Sequence, residues 1–264
     1  MRLVFHPLVV VTLGVASFVS LRAGRGVAHI GALDIYPPTE HSVRAWVDNF
    51  DPTRNDTFSQ RYLTYDAWWR SAGPILLYLG NEGPIESFYN YTGALFEHAH
   101  ALHGLVVFVE HRYYGKSQPH NTTASAYNAL DLRELTVEQA MADYAWFIQK
   151  LRQRLGCTTG QCPIVTFGGS YGGMLVAWFR QKYPQLTVGG VGSAAIIDFY
   201  PRAGRQQVLW NVTRRTFEAS GGESCGIALD SVLSVLRAHA ATASGREMLQ
   251  DRLASCEPMV AEAT

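Results

Sequence analysis

A cluster of glycines around one serine constrains the fold of this chain more than any other feature. Residues 168–173 read Gly-Gly-Ser-Tyr-Gly-Gly, so a glycine stands two residues before Ser170 and another two residues after it. The apolar run Ile164–Phe167 precedes the cluster, and a helix is predicted to follow from Met174 to Tyr183. A serine in a tight strand-to-helix turn exposes its hydroxyl beside the N–H groups of the helix N-terminus. We therefore predict that Ser170 is a catalytic nucleophile; the alternative is an ordinary serine in a glycine-rich turn.

Short apolar runs predict a parallel sheet covered on both faces. These runs are Pro74–Leu79, Leu105–Val109, Ile164–Phe167 and the glycine-rich Val188–Ala195. Strands that are apolar throughout are typical of sheets buried under helices on both sides. Earlier in the chain, residues 43–70 mix aromatic and polar residues, and the alternation around Thr57–Thr64 predicts antiparallel strands.

A long amphipathic helix is predicted between the second and third apolar runs. Thr136 and Gln139 have the spacing of a capping box, in which each side chain bonds the backbone N–H of the other residue. Apolar residues then recur every three or four positions, at Val137, Ala140, Met141, Tyr144, Ile148, Leu151 and Leu155. Alternating strands and helices indicate a doubly wound α/β sheet. Residues 206–254 contain no strand-like run and are predicted to be helical.

The beginning of the chain predicts entry into the secretory pathway. Arg2 is followed by the largely apolar segment Leu8–Leu21, which has the length of a signal-peptide core, with cleavage expected near Ala28. An uncleaved signal anchor is the alternative, and no later segment is apolar enough to span a membrane. Glycosylation triplets support secretion and begin at Asn55, Asn90, Asn121 and Asn211.

Cysteine and charge content exclude several classes of function. Cys157 and Cys162 bracket a four-residue loop and could form a disulfide, although the four cysteines allow three pairings. No cysteine has metal-ligand spacing with a histidine, and histidines 98, 100 and 103 share no helix face, so we expect no metal site. The formal net charge is +0, without a basic stripe, which argues against nucleic-acid binding.

Two further segments are predicted to lie near Ser170. An oxyanion hole needs two donors, and we assign them to the backbone N–H groups of Tyr171 and Asn81, the latter in the loop Gly80–Gly83. A simple β-turn is the alternative for that loop. Residues 110–112, Glu-His-Arg, end another strand and could support the active site, but we interpret them as a buried ion-pair network that braces the loop.

Several ordered motifs together resemble the family of lysosomal prolyl carboxypeptidase and dipeptidyl peptidase II, which includes thymus-specific serine protease. The resemblance runs from about Val43 to the end of the chain. Its motifs are Gly80–Gly83, Glu110–Ser117, Leu135–Ala140 and Phe167–Leu175, followed by Trp178–Arg180 and Lys182–Pro184. It implies an α/β-hydrolase fold with an inserted helical cap, a serine exopeptidase that needs no cofactor, and peptide substrates with proline next to the scissile bond. It also implies a homodimer and a lysosomal, vacuolar or extracellular location.

Carrying the resemblance onto the chain gives three segments. We expect a signal peptide at 1–28, the N-terminal part of the hydrolase domain at 29–200, and the start of a truncated cap at 201–264. The family's triad aspartate and histidine lie beyond the cap, so we expect this chain to lack them, and with them the C-terminal part of the fold. Cys225 and Cys256 resemble cap cysteines whose partners lie downstream, and both are expected to be unpaired.

Three alternatives remain open from the sequence. His239 is the only histidine after Ser170, and with Asp198 it would follow the required order of a triad, but its surroundings predict a solvated helix face. A secreted esterase or lipase would share the serine turn. A pseudoenzyme or binding fragment would keep the fold without the activity. Carboxypeptidase and dipeptidyl peptidase action are not separated by these residues.

Overall fold

A computed structural model describes residues 9–10, 31–120, 131–158, 160–197, 207–256 and 258–260. The chain divides into two compact units, Met1–Ile196 and Ile197–Thr264. Of the predicted signal peptide, only residues 9–10 are described. Asn121 and Asp198 lie outside the described residues. Among the described residues, no helix has the length and apolar character to cross a bilayer.

The described residues of the first unit form a mixed seven-stranded sheet with helices. Its strands are β1 (Val9–Val10), β2 (Thr39–Trp46), β3 (Thr57–Tyr65), β4 (Ile75–Leu79), β5 (Leu105–Val109), β6 (Ile164–Gly169) and β7 (Gly189–Ser193). Its helices are α1 (Ala32–Ile35), α2 (Ile85–Tyr91), α3 (Gly93–Leu102), the 3₁₀ turn Asp131–Glu134, α4 (Val137–Arg154) and α5 (Tyr171–Lys182). The strand order is β1-β7-β6-β4-β5-β3-β2. Strands β1, β7, β6, β4 and β5 pair in parallel, whereas β3 pairs antiparallel with both β5 and β2.

The two central strands are buried on both faces, as their continuous apolar sequences predict. Alternate residues of β4 and β5, such as Leu77 and Val107, pack in one core cluster with α4 and α5. The intervening residues, such as Leu76 and Val106, pack in a second cluster with α2 and α3. This confirms the predicted α/β class, with a mostly parallel sheet between two layers of helices.

The start of α4 departs from the predicted capping box. The Thr136 hydroxyl does accept a hydrogen bond from the Gln139 N–H, 3.2 Å away. The Gln139 side chain, however, does not return to Thr136: its oxygen accepts from the Asn49 N–H at 2.8 Å, and its amide donates to Asp48 at 2.6 Å. Gln139 therefore joins α4 to the end of β2, and that half of the prediction was wrong.

In the second unit, the described residues 207–256 form three helices. They are α6 (Gln207–Gly221), α7 (Glu223–Ala240) and α8 (Ala243–Leu253). This agrees with the helical prediction for residues 206–254. Few of its residues are buried; Gly226 in α7 and Leu249 in α8 are among them. Many large apolar side chains of α6 and α7 are exposed, Leu209 and Phe217 among them.

Candidate active site

Ser170 occupies a strained corner between β6 and α5. Strand β6 ends at Gly169 and α5 begins at Tyr171, so Ser170 alone forms the turn and occupies the N-cap position of the helix. Its backbone angles are φ 54° and ψ −124°, a left-handed conformation that a residue with a side chain adopts at a cost of about 1–3 kcal/mol. The side chain is exposed and does not cap the helix. Its hydroxyl is therefore presented to solvent at the carboxyl end of a central strand.

Helix α5 begins at Tyr171, three residues before its predicted start at Met174. Glycine disfavours helix interiors, so Gly172 and Gly173 give no local sign that they belong to the helix. Here Gly172 and Gly173 form the first turn of α5 because the helix lies very close to the strands. A methyl group on Gly173 would lie 2.8 Å from the Ser193 carbonyl oxygen, and one on Gly168 would overlap the backbone carbonyl of Gly172. The glycines thus permit close packing, and the earlier helix start directs the α5 N-terminus at Ser170.

Three hydrogen bonds from β7, β4 and the loop after β4 hold the corner in place. The Ser170 N–H donates to the Ser193 carbonyl at the end of β7, 2.9 Å away. Gly169, which precedes Ser170, is held through both of its backbone groups: its N–H donates to the Tyr78 hydroxyl at 3.3 Å, and its carbonyl accepts from the Asn81 Nδ2 at 3.2 Å. The role of Tyr78 was not predicted, because a tyrosine within an apolar strand gives no sign that its hydroxyl makes a polar contact.

Asn81, one of the two predicted oxyanion donors, lies beside the corner. It comes two residues after the end of β4, and a methyl group placed on Gly172 would lie 3.5 Å from its Cβ and Cγ atoms. The residue is 5% exposed, and within the described residues its Oδ1 atom has no hydrogen-bond partner. Tyr171, the other predicted donor, is the first residue of α5, where backbone N–H groups point outward from the helix end. The two segments therefore meet at Ser170.

A buried histidine contacts the residue after Ser170. His111 is 1% exposed, and its Nε2 atom lies 3.1 Å from the Tyr171 hydroxyl. Its Nδ1 atom lies 2.7 Å from the Arg112 carbonyl oxygen. Burial lowers the pKa of His111 to about 4; the Arg112 carbonyl opposes this shift and the Arg112 charge adds to it. The ring is therefore neutral at pH 5 and above.

This low pKa predicts a loss of stability on acidification. An unfolded histidine binds a proton near pH 6.5, whereas folded His111 stays neutral down to about pH 4. The stability that neutral His111 contributes is complete above pH 6.5 and is lost as the pH falls from 6.5 towards 4. By pH 5 the free energy of unfolding has decreased by about 2 kcal/mol. Denaturant unfolding at pH 7 and pH 5 should show this loss in the parent chain, and His111→Gln should show a smaller one. Equal losses in both proteins would contradict the assignment.

Glu110 and Arg112 form two separate buried networks, which agrees with their predicted structural role. The Glu110 carboxylate accepts from Arg61 at 2.6 Å, from the Ser117 hydroxyl at 2.7 Å, and from the backbone N–H groups of Ile85 and Lys116. Arg112 forms a bidentate ion pair with Asp143 on α4. Because these networks brace the segment after β5 from both sides, His111 is held between two rigid neighbours.

The remaining predicted residues lie away from this corner in sequence and take varied environments. Asn55 and Asn211 are exposed, whereas Asn90 is half-buried and its Oδ1 accepts from the Leu33 N–H at 3.0 Å. Cys157 and Cys162 form a disulfide after α4, and Cys225 and Cys256 are free thiols. His239 lies in α7 of the second unit. The described part of the chain holds no group of three side chains suited to a metal ion.

Comparison with known proteins gives a consistent family. A model of the family described as serine carboxypeptidase S28 matches residues 45–263. Lysosomal Pro-X carboxypeptidase of Mus musculus is 38% identical over 221 residues, covering 82% of this chain and 44% of that protein. The Homo sapiens protein of the same name is 37% identical, covering 82% and 43%. The prolyl carboxy peptidase like protein 5 of Caenorhabditis elegans is 36% identical, covering 81% and 42%. The chain thus spans less than half of the length of these curated relatives.

Proposed function

The chain belongs to the serine carboxypeptidase S28 family, and on that premise we propose that it carries the nucleophile of a serine exopeptidase. The observation that supports this most directly is the backbone of Ser170, whose φ of 54° puts a non-glycine residue in the left-handed region at the corner between β6 and α5. Backbone strain at a non-glycine residue persists only where the surrounding structure maintains it. Such residues are typical of functional sites.

The proposed reaction is acyl transfer to Ser170. The hydroxyl attacks the peptide carbonyl carbon, its proton passes to a histidine base, and the amine leaves with a proton returned by that base. Water then hydrolyses the acyl-enzyme. The backbone N–H groups of Tyr171 and Asn81 hold the oxyanion, aided by the positive end of α5. No cofactor takes part in this scheme.

The base and its acid partner are proposed to lie beyond these 264 residues. His239 belongs to a different compact unit from Ser170, and its helix α7 is largely exposed. Without a base, a serine hydroxyl is a weak nucleophile, so we propose that this chain alone is inactive. The helices of residues 207–253 would be the beginning of the cap.

Labelling with a fluorophosphonate tests Ser170 directly. We expect the 264-residue chain to label no faster than its Ser170→Ala variant, because the nucleophile lacks a base. A longer product of the same reading frame, continuing into an aspartate and a histidine, should label at Ser170, and Ser170→Ala should abolish that signal. Labelling of the short chain would defeat the inactivity proposal. Failure of every longer product would defeat the peptidase proposal as well.

The substrate class is proposed from the relatives' names, which specify Pro-X carboxypeptidases. Peptides with proline next to the scissile bond should be cleaved by the active longer product, and peptides with alanine in that position should be cleaved at least about tenfold more slowly. Carboxyl-blocked and amino-blocked versions separate carboxypeptidase from dipeptidyl peptidase action. Turnover of simple esters without peptide cleavage would favour the esterase alternative.

The proposed location is the secretory pathway, ending in a lysosome, a vacuole or the extracellular space. Support comes from the predicted leader at 1–28, the relatives described as lysosomal and the exposed acceptor Asn55. A homodimer is proposed on family resemblance alone.

A further inference from the structure

We propose that His111 is a positioning residue for the Ser170 corner, holding the Tyr171 side chain and through it the first turn of α5. This inference rests on the proposed role of Ser170 and deepens it. His111 itself is buried and would not touch substrate; it would act through Tyr171, whose backbone N–H is a proposed oxyanion donor.

The contacts of the imidazole fix which nitrogen carries the proton. A carbonyl oxygen can only accept, so the 2.7 Å contact between His111 Nδ1 and the Arg112 carbonyl requires the proton on Nδ1. In a neutral ring this leaves Nε2 as an acceptor. The Tyr171 hydroxyl, 3.1 Å from Nε2, must then be the donor. The link therefore has a single polarity as long as the ring stays neutral.

The surroundings of His111 keep its position and charge state constant. Its ring centroid lies 5.3 Å from that of Tyr114, 6.3 Å from that of Tyr144 and 5.6 Å from that of Tyr171. The charge of Arg112, which is paired with Asp143, adds to the preference for a neutral ring. Tyr144 is itself fixed, because its hydroxyl donates to the Gly80 carbonyl at 2.6 Å.

The contact between His111 and Tyr171 joins the segment after β5 to the start of α5. His111 comes two residues after the end of β5, whereas Tyr171 is the first residue of α5, 60 residues later. Because His111 holds the far end of the Tyr171 side chain, it limits how far the Tyr171 Cα can shift, and with it the peptide between Ser170 and Tyr171. An oxyanion donor has to lie within about 3 Å of the developing charge, so a small tilt of that peptide weakens catalysis.

Nitrogen NMR of ¹⁵N-histidine-labelled 264-residue chain tests the link without any activity. At pH 7 and at pH 5 we expect His111 to give the signature of a neutral ring protonated on Nδ1. Tyr171→Phe should shift the Nε2 resonance, because it removes the donor. The backbone amide signals of residues 171–173 should move in His111→Leu and return towards their original positions in His111→Gln. His103→Asn is the control, since that exposed residue lies at the opposite end of β5 and should leave them unchanged.

Reactivity provides the second measurement, in a longer product that labels at Ser170. His111→Leu should lower the fluorophosphonate labelling rate about tenfold, and His111→Gln should restore most of it. A proton on Nε2, or an Nε2 resonance unchanged in Tyr171→Phe, would overturn the inference while leaving the nucleophile assignment intact. An absence of labelling at Ser170 with the NMR link present would instead overturn the proposed function.

Discussion

Replacing Gly168 by alanine is expected to disrupt the corner that carries Ser170. The added methyl group would overlap the backbone carbonyl of Gly172 and lie 2.9 Å from the Gly173 nitrogen. These obstacles are backbone atoms of the first turn of α5, so no side-chain rotation can relieve them. We expect the free energy of unfolding to fall by about 3 kcal/mol, as α5 moves away from β6. Denaturant unfolding followed by circular dichroism measures this change.

The neighbouring glycine supplies a matched control for that prediction. A methyl group on Gly169 would meet only the Tyr78 hydroxyl at 3.7 Å, an ordinary contact, and Gly169 does not have a left-handed backbone. Gly169→Ala should therefore change the free energy of unfolding by no more than about 1 kcal/mol. If the two variants were equally stable, close approach of α5 to β6 would not be the reason for glycine at 168. In a longer, active product, only Gly168→Ala should abolish labelling at Ser170.

The sequence predicted those parts of the fold that are determined by local patterns. Strands β4 and β5 were found because burial on both faces requires every residue to be apolar, which leaves a continuous run. The corner was found because a strand, a serine among glycines and a helix follow one another directly. Each of these signals lies within about ten residues, so one segment is sufficient to read it.

The contacts that position the site join residues distant in sequence, and the local pattern does not contain them. Gln139 was assigned to a cap three residues away, yet it bonds Asn49, which is 90 residues distant. The Asn81 amide that holds Gly169 lies 88 residues before it. The beginning of α5 was misplaced for a related reason: glycine is unfavourable in an isolated helix, but packing against the strands reverses that preference here.

The ion pair between Arg112 and Asp143 gives the other large expected effect. Both side chains are fully buried, and the Nε and NH2 groups of Arg112 each donate to one carboxylate oxygen at 2.7 Å. The remaining guanidinium donors bond the carbonyls of Val47, Glu134 and Trp46. Burial raises the pKa of Asp143, whereas the hydrogen bonds that its carboxylate accepts from Arg112 and Asn49, together with the guanidinium charge, favour its ionised form. The N–H groups of the guanidinium thus all have acceptors. Among these acceptors, only the Asp143 carboxylate neutralises the buried positive charge.

Asp143→Asn should therefore destabilise the chain by about 3–5 kcal/mol, because it leaves the Arg112 charge buried without a counter-ion and turns an amide donor towards a guanidinium donor. Asp56→Asn makes the same chemical change in the pair with Arg54, whose side chains are 47% and 23% exposed, and should cost no more than about 1 kcal/mol. Unfolding midpoints of both variants at pH 7 separate these cases. Since Arg112 also provides the carbonyl that fixes the His111 ring, Asp143→Asn should in addition shift the His111 nitrogen resonances, and Asp56→Asn should leave them in place. Equal midpoints for the two variants would show that solvent reaches the Arg112–Asp143 pair, and the buried pair would then not anchor the segment beside Ser170.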